Sequence, residues 1–120
     1  MTIESHEIND LKIAEVISDT IIIANADDGL DLLGNLYYQG FDKIIIRQVN
    51  ITHDFFDLKT GLAGEILQKF SNYRVGLAIV GNFGSLHSKN MKDFIFESNK
   101  LGQITFVEST SEAIARFVKQ

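Results

Sequence analysis

The residues able to do chemistry are few and stand between apolar runs. His53 and Asp54 lie in one polar stretch, and Asn82, Ser85 and His87 in another. If the two stretches meet in space, their imidazole, carboxylate, amide and hydroxyl groups can form a small-molecule site, a metal site or an acid/base pair. Their spacing is diagnostic of none of these, and two solvated loop histidines are the plainer reading. Ser85 stands in Gly81-Asn82-Phe83-Gly84-Ser85, which lacks the strained Gly-x-Ser-x-Gly turn that exposes a hydrolase nucleophile. The same glycines match neither the Walker phosphate loop nor the dinucleotide fingerprint, and turn geometry accounts for them. The absence of cysteine excludes a disulfide framework, a thiolate metal site and a cysteine nucleophile together. The reading assigns no catalytic residue, no metal ligand and no cofactor.

A second stretch, Phe55-Phe56-Asp57-Leu58-Lys59-Thr60-Gly61-Leu62-Ala63-Gly64-Glu65, turns a loop into a helix. A phosphate on Thr60 would meet unpaired backbone N–H groups and the positive end of the helix dipole, which makes Thr60 a phosphoacceptor candidate. Thr and Asp are also ordinary helix caps, and capping by Thr60 or Asp57 is the plainer reading of these residues alone. Gly61 and Gly64 in a first turn each cost about 1 kcal/mol of helix propensity against Ala. Close approach of a partner, or of the sheet, would explain them. Neighbouring residues cannot both face one core, so one member of Phe55-Phe56 and one of Tyr37-Tyr38 is expected at the surface. Phe55, Phe56, Asp57, Lys59, Thr60, Gly61 and Gly64 therefore form a candidate interaction surface for a protein partner or a second copy of the chain.

These stretches are positioned by a repeating pattern. Ser5 to Ile8, a tight turn at Asn9-Asp10 and Leu11 to Ile17 read as a β-hairpin. The β-branched run Ile21-Ile22-Ile23-Ala24 reads as a strand buried on both faces. A helix follows, with Asp27 and Asp28 at its start, Leu30, Leu33 and Tyr37 on its apolar face and Gly40 at its end. Ile44-Ile45-Ile46 begins the next strand, and Leu62, Ile66 and Phe70 mark the next helix. Val75 to Val80 is a strand followed by a helix carrying Met91, Phe94, Ile95 and Ser98 and stopped at Gly102. After the strand Ile104 to Val107, Ser109-Thr110-Ser111-Glu112 has the spacing of a capping box, opening a helix with Ala113, Ile114, Phe117 and Val118 inward. Strands alternating with helices need crossover connections. The fold class is therefore α/β: a mixed, mostly parallel sheet with an N-terminal antiparallel hairpin and about four helices. Loops leaving the C-terminal ends of parallel strands share one rim, where ligands of such folds bind. Asn25, Asp27, Gln48, Asn50, Thr52 and Glu108 join the residues above on that rim.

Composition sets the outer bounds. At 120 residues the chain suits a single domain, 1–120, and with 45% apolar residues it can fill a core of its own. The N-terminus lacks a basic segment followed by an apolar one, and no apolar run reaches the roughly 18 residues of a membrane span. A cytoplasmic location, with no membrane partner, is the expectation. Net charge is −5, and the basic residues are scattered along the chain, which argues against a nucleic-acid partner.

The order of hairpin, strand and strand–helix units, with Ile44-Ile45-Ile46, a loop, and Asp57 to Leu62 opening a helix, resembles STAS domains of the anti-sigma factor antagonist type. In those domains an Asp-Ser-Ser-Gly-Leu-like motif at this junction is phosphorylated on the Ser before Gly by a kinase that is also the binding partner. Thr60-Gly61-Leu62 stands in the matching place, but Leu58 and Lys59 put one extra residue after Asp57, and the first Ser is missing. Over nearly its full length the chain is similar to a bacterial family of domains of unknown function, numbered four-one-eight-zero. The stretches Tyr38-Gln39-Gly40, Ile51 to Gly61 and Phe70-Ser71-Asn72-Tyr73-Arg74 carry that resemblance. The first resemblance implies a STAS-like, non-enzymatic interaction or regulatory module, and the second implies no established activity.

Overall fold

The computed structural model describes residues 1–119. Strand β1 (Thr2–Ile8) pairs antiparallel with β2 (Leu11–Ile17) through a two-residue turn. Asn9 and Asp10 both take positive φ, 51° and 67°, which are turn residues that tolerate this conformation and match the twist of the flanking strands. Strand β3 (Lys43–Arg47) then pairs parallel with β2, β4 (Gly76–Val80) with β3, and β5 (Ile104–Val107) with β4. The sheet order is β1-β2-β3-β4-β5. Helices α1 (Ala26–Tyr38), α2 (Leu62–Tyr73) and α3 (Lys89–Leu101) link the parallel strands, and α4 (Thr110–Lys119) follows β5.

The period-2 alternation of strand side chains sorts the core into two layers. Ala14, Val16, Ile44, Ile46, Leu77, Ile79, Ile104 and Phe106 pack against α1, α2 and α3, which supply Leu33, Leu36, Ile66, Phe70 and Met91. Ile13, Ile45, Ala78 and Val107 face the other way, onto Ala113 and Phe117 of α4. The triple-isoleucine run of β3 is apolar throughout because both of its faces are covered.

Two expectations are corrected. The run Ile21-Ile22-Ile23-Ala24 is not a sheet strand: Ile23 makes one isolated parallel bridge to Ile51, and Ile21 is 50% exposed. Its backbone is satisfied by a loop instead, Ile22 and Ile23 N–H both donating to the Asn50 carbonyl at 2.7 and 3.0 Å. The parallel series starts one element earlier, with β2. On α1 Leu33 is buried as expected, but its companions are Gly29, Leu32 and Leu36 rather than Leu30 and Tyr37. A Cβ on Gly29 would lie 2.5 Å from Ile66 Cδ1, so the missing side chain lets α2 approach there and centres the buried stripe on it. Tyr37 flanks the stripe, its ring edge-on to Tyr73 at 5.1 Å. No helix among the described residues is long and apolar enough to cross a membrane.

Candidate functional site

The connection from β3 to α2 is three successive 3-10 turns, Gln48–Asn50, His53–Phe56 and Leu58–Thr60. Each of the last two is opened by a short side chain. Thr52 accepts from Asp54 N–H at 3.5 Å, and Asp57 accepts from Lys59 N–H at 3.1 Å. Thr60 is exposed and closes the series. Its hydroxyl lies 2.6 Å from the Asp54 carbonyl and 2.9 Å from that of Asp57, and accepts from Leu62 N–H at 3.3 Å. Gly61 follows with φ 77° and is the N-terminal cap residue of α2.

The sequence placed Thr60 correctly at this helix start. Of the two explanations for the glycines, packing against the sheet is removed, since among the described residues nothing lies within 4 Å of a Cβ built on either Gly61 or Gly64. Gly61 is required by its left-handed backbone. Gly64 faces open space, and no contact within the molecule explains it.

Phe55 is corrected as well: it is fully buried and cannot be a surface contact. Its ring sits 5.0 Å from Phe56 and 6.3 Å from Phe106, while Phe83 bridges Phe56 at 6.0 Å and Phe106 at 5.2 Å. This aromatic cluster anchors the loop after β3 to the loop after β4. Phe56 is half-buried at its edge. Of the tyrosine pair both members are exposed, Tyr37 at 44% and Tyr38 at 83%, so only the phenylalanine doublet divides into a buried and a more accessible member.

Two clefts open on the rim at the C-terminal ends of β2 and β3. One, of about 410 Å³, separates the N-termini of α1 and α2 and is lined by Asn25, Asp27, Asp54, Thr60, Leu62 and Glu65. Asn25 caps α1 by accepting from Asp28 N–H at 2.8 Å, and Asp28 accepts in return from Ala24 N–H at 2.9 Å. The other, of about 280 Å³, is an apolar groove between Ile21, Val49, Ile51 and Phe56, with Gln48 and His53 at its sides. Ile21 and Val49, 50% and 70% exposed, belong to the rim although the sequence reading missed them. Ile21, in a run of three isoleucines, reads as core, and Val49 is a lone apolar residue between Gln48 and Asn50; the exposure of both is set by where their loops go.

The proposed ligand residues do not line one common cleft among those described. Asp54 lines the first cleft and His53 the second. Asn82 turns back on its own loop, its Oδ1 accepting from Gly84 N–H at 3.2 Å, and Ser85 and His87 are exposed. Among the described residues, the group of three whose ligand atoms converge is instead Glu4, His6 and Glu15, on the hairpin. The signal for it was present: a two-residue turn at Asn9-Asp10 sets Glu4 opposite Glu15.

Basic residues scattered in sequence also prove gathered in space. Lys43, Arg74, Lys100, Arg116 and Lys119 line one cleft at the opposite end of the sheet. Helices α2, α3 and α4 end there, and cations near helix C-termini offset the negative ends of their dipoles. Arg116 donates to the Asn99 carbonyl at 3.3 Å in the last turns of α3.

Residues 8–117, nearly the whole chain, match the family described as Domain of unknown function (DUF4180). The chain belongs to this family. No curated protein and no solved structure matches it. In this DUF4180 chain the match spans both rim clefts and the Thr60 junction, and it begins within the first strand, after Glu4 and His6.

Proposed function

We propose that this DUF4180 domain is a STAS-like, non-catalytic interaction and regulatory module. It docks a protein partner on the rim formed by the loop before α1 and the 3-10 turns before α2. The observation that carries the reading is the groove of exposed Ile21 and Val49 beside Phe56, directly next to a cleft lined by Asp27, Asp54 and Glu65. An apolar slot beside clustered carboxylates fits a protein segment that presents an apolar anchor flanked by Lys or Arg.

The topology supports a docking surface over an enclosed ligand site. Open α/β sheets bind small molecules where strand order reverses and adjacent crossovers diverge. Here β2, β3, β4 and β5 follow in sequence order, and α1, α2 and α3 contribute to one core layer, so the parallel strands contain no such reversal. Asp57, Lys59, Thr60, Gly61 and Gly64 stand beside the two clefts, and Thr60 is the position where a phosphate would alter the rim's charge.

The experiment is affinity isolation of the untagged-rim protein from its native cells with mass spectrometry, using wild type, Val49→Asp and Leu101→Asp. Leu101 is exposed at the opposite end of the sheet. The reading expects one stoichiometric protein held by wild type and Leu101→Asp and lost by Val49→Asp. Equal retention by all three, or none by wild type with a monomer at high concentration, overturns it. A second copy of the chain as the retained protein would identify the rim as a homo-oligomer contact.

A further inference from the structure

Away from the rim, β1 and β2 carry a group that the docking reading does not use. Glu4 and Glu15 are directly opposed in the antiparallel register, and His6 lies two residues beyond Glu4 on the same face. That face is the α4 side, since Ile13, the partner of His6, belongs to the layer against α4. One ligand atom from each of Glu4, His6 and Glu15 lies within 4.8 Å of the other two.

Like charges directly opposite on neighbouring strands destabilise a sheet unless a cation stands between them. The contact of His6 Nε2 with Glu15 Oε1 at 2.9 Å accounts for two of the groups and leaves Glu4 facing Glu15. The third feature is the fixing of Glu15. Its other oxygen, Oε2, accepts from the hydroxyl of Thr110 at 3.3 Å, where α4 begins, and its side chain is only 12% exposed. A carboxylate oriented by a hydroxyl hydrogen-bonded to its far oxygen is how metal ligands are held from outside the coordination sphere.

We infer that Glu4, His6 and Glu15 form a binding site for a first-row divalent transition metal such as Zn²⁺, with remaining positions open to water. Imidazole and carboxylates bind Zn²⁺ at about 2.0–2.2 Å, so ligand atoms around it stand at most about 4.4 Å apart. A small rotation of the exposed Glu4 side chain closes the present spread. The imidazole selects against Mg²⁺ and Ca²⁺, which take oxygen ligands.

The test is titration of the untagged protein with Zn²⁺ and, separately, Mg²⁺, following the imidazole proton signals of all three histidines by NMR and the heat of binding by calorimetry. His53 and His87 are internal controls. The expected result is 1:1 binding of Zn²⁺ that moves His6 alone, reversal by a chelator and no saturable effect of Mg²⁺. Glu15→Gln should weaken binding more than tenfold, and Thr110→Val by about 10- to 100-fold, the range for partners behind a metal ligand. Glu4→Gln, at an exposed position, serves as the variant whose folding is not at stake, and it too should weaken binding. Equal shifts of all three histidines, or Glu4→Gln binding as wild type does, overturns the site.

Discussion

Asn50 donates from its carboxamide to the Thr20 carbonyl at 2.8 Å, across thirty residues of sequence, and to the Ser18 carbonyl at 2.9 Å. Its main-chain carbonyl accepts from the Ile22 and Ile23 N–H groups. One fully buried side chain thus straps the loop before α1 to the first 3-10 turn, and so holds Ile21 beside Val49. Asn50→Ala leaves two carbonyls without their donor, at a cost of about 1–3 kcal/mol for the pair, because Ser18 is half-buried and Thr20 exposed and water takes over part of the bonding. A loss near 2 kcal/mol is expected, because the Oδ1 atom that has no partner is removed with it. Urea unfolding should show a lower midpoint with an unchanged slope, and hydrogen exchange at the Ile22 and Ile23 amides should speed up.

Three glycines separate backbone need from packing need. Gly61→Ala forces a side chain onto φ 77° and should cost about 1–2 kcal/mol. Gly29→Ala drives a methyl into Ile66, with an overpacking cost of about 1–3 kcal/mol that outweighs its gain in helix propensity. Gly64→Ala meets nothing within 4 Å and should stabilise by up to about 1 kcal/mol. Thermal unfolding of the three variants checks the order. If Gly64→Ala stabilises yet loses the rim's protein partner, the open face it occupies is part of the docking surface.

Phe55 and Phe56 should part company under truncation. Phe55→Ala empties a fully buried site and should cost about 3–5 kcal/mol. Phe56→Ala, at the half-buried edge of the same cluster, should cost clearly less. Chemical denaturation of both variants makes the comparison, and similar losses would place Phe56 in the core instead of the groove wall.

The strands, helices and their caps were legible because their signals are local. Apolar alternation, Asn9-Asp10, Gly102 and Ser109 each dictate backbone within a few residues of themselves, and Glu112 N–H does donate to Ser109 Oγ at 3.1 Å. The rim was half legible. Thr60 announced itself by preceding Gly61 and Leu62, whereas Ile21 and Val49 did not, because their exposure depends on the long-range strap from Asn50. The triple Ile21-Ile22-Ile23 carries the same residue types as Ile44-Ile45-Ile46, and what separates them is only whether a neighbouring strand is present to pair. The hairpin trio depended on combining a turn with cross-strand register, a step that periodicity along one strand does not contain.

Thr60 offers a test that divides charge from hydrogen bonding. Its hydroxyl contacts Asp54, Asp57 and Leu62 through backbone groups, and Asp27, Asp54 and Glu65 line the same cleft. Thr60→Val removes the hydrogen bonds without adding charge and should cost about 1 kcal/mol, independent of salt. Thr60→Glu, standing for a phosphate, adds a further carboxylate to an acidic cleft whose gain from the α2 dipole is already shared with Glu65. Its extra loss should shrink as sodium chloride is raised from about 0.01 M to 1 M, since the screening length falls from about 30 Å to 3 Å. Urea midpoints for both variants at the two salt concentrations decide the matter. A salt-independent loss for Thr60→Glu equal to that of Thr60→Val would mean that a phosphate here acts through the turn's hydrogen bonds and not through the charge of the rim.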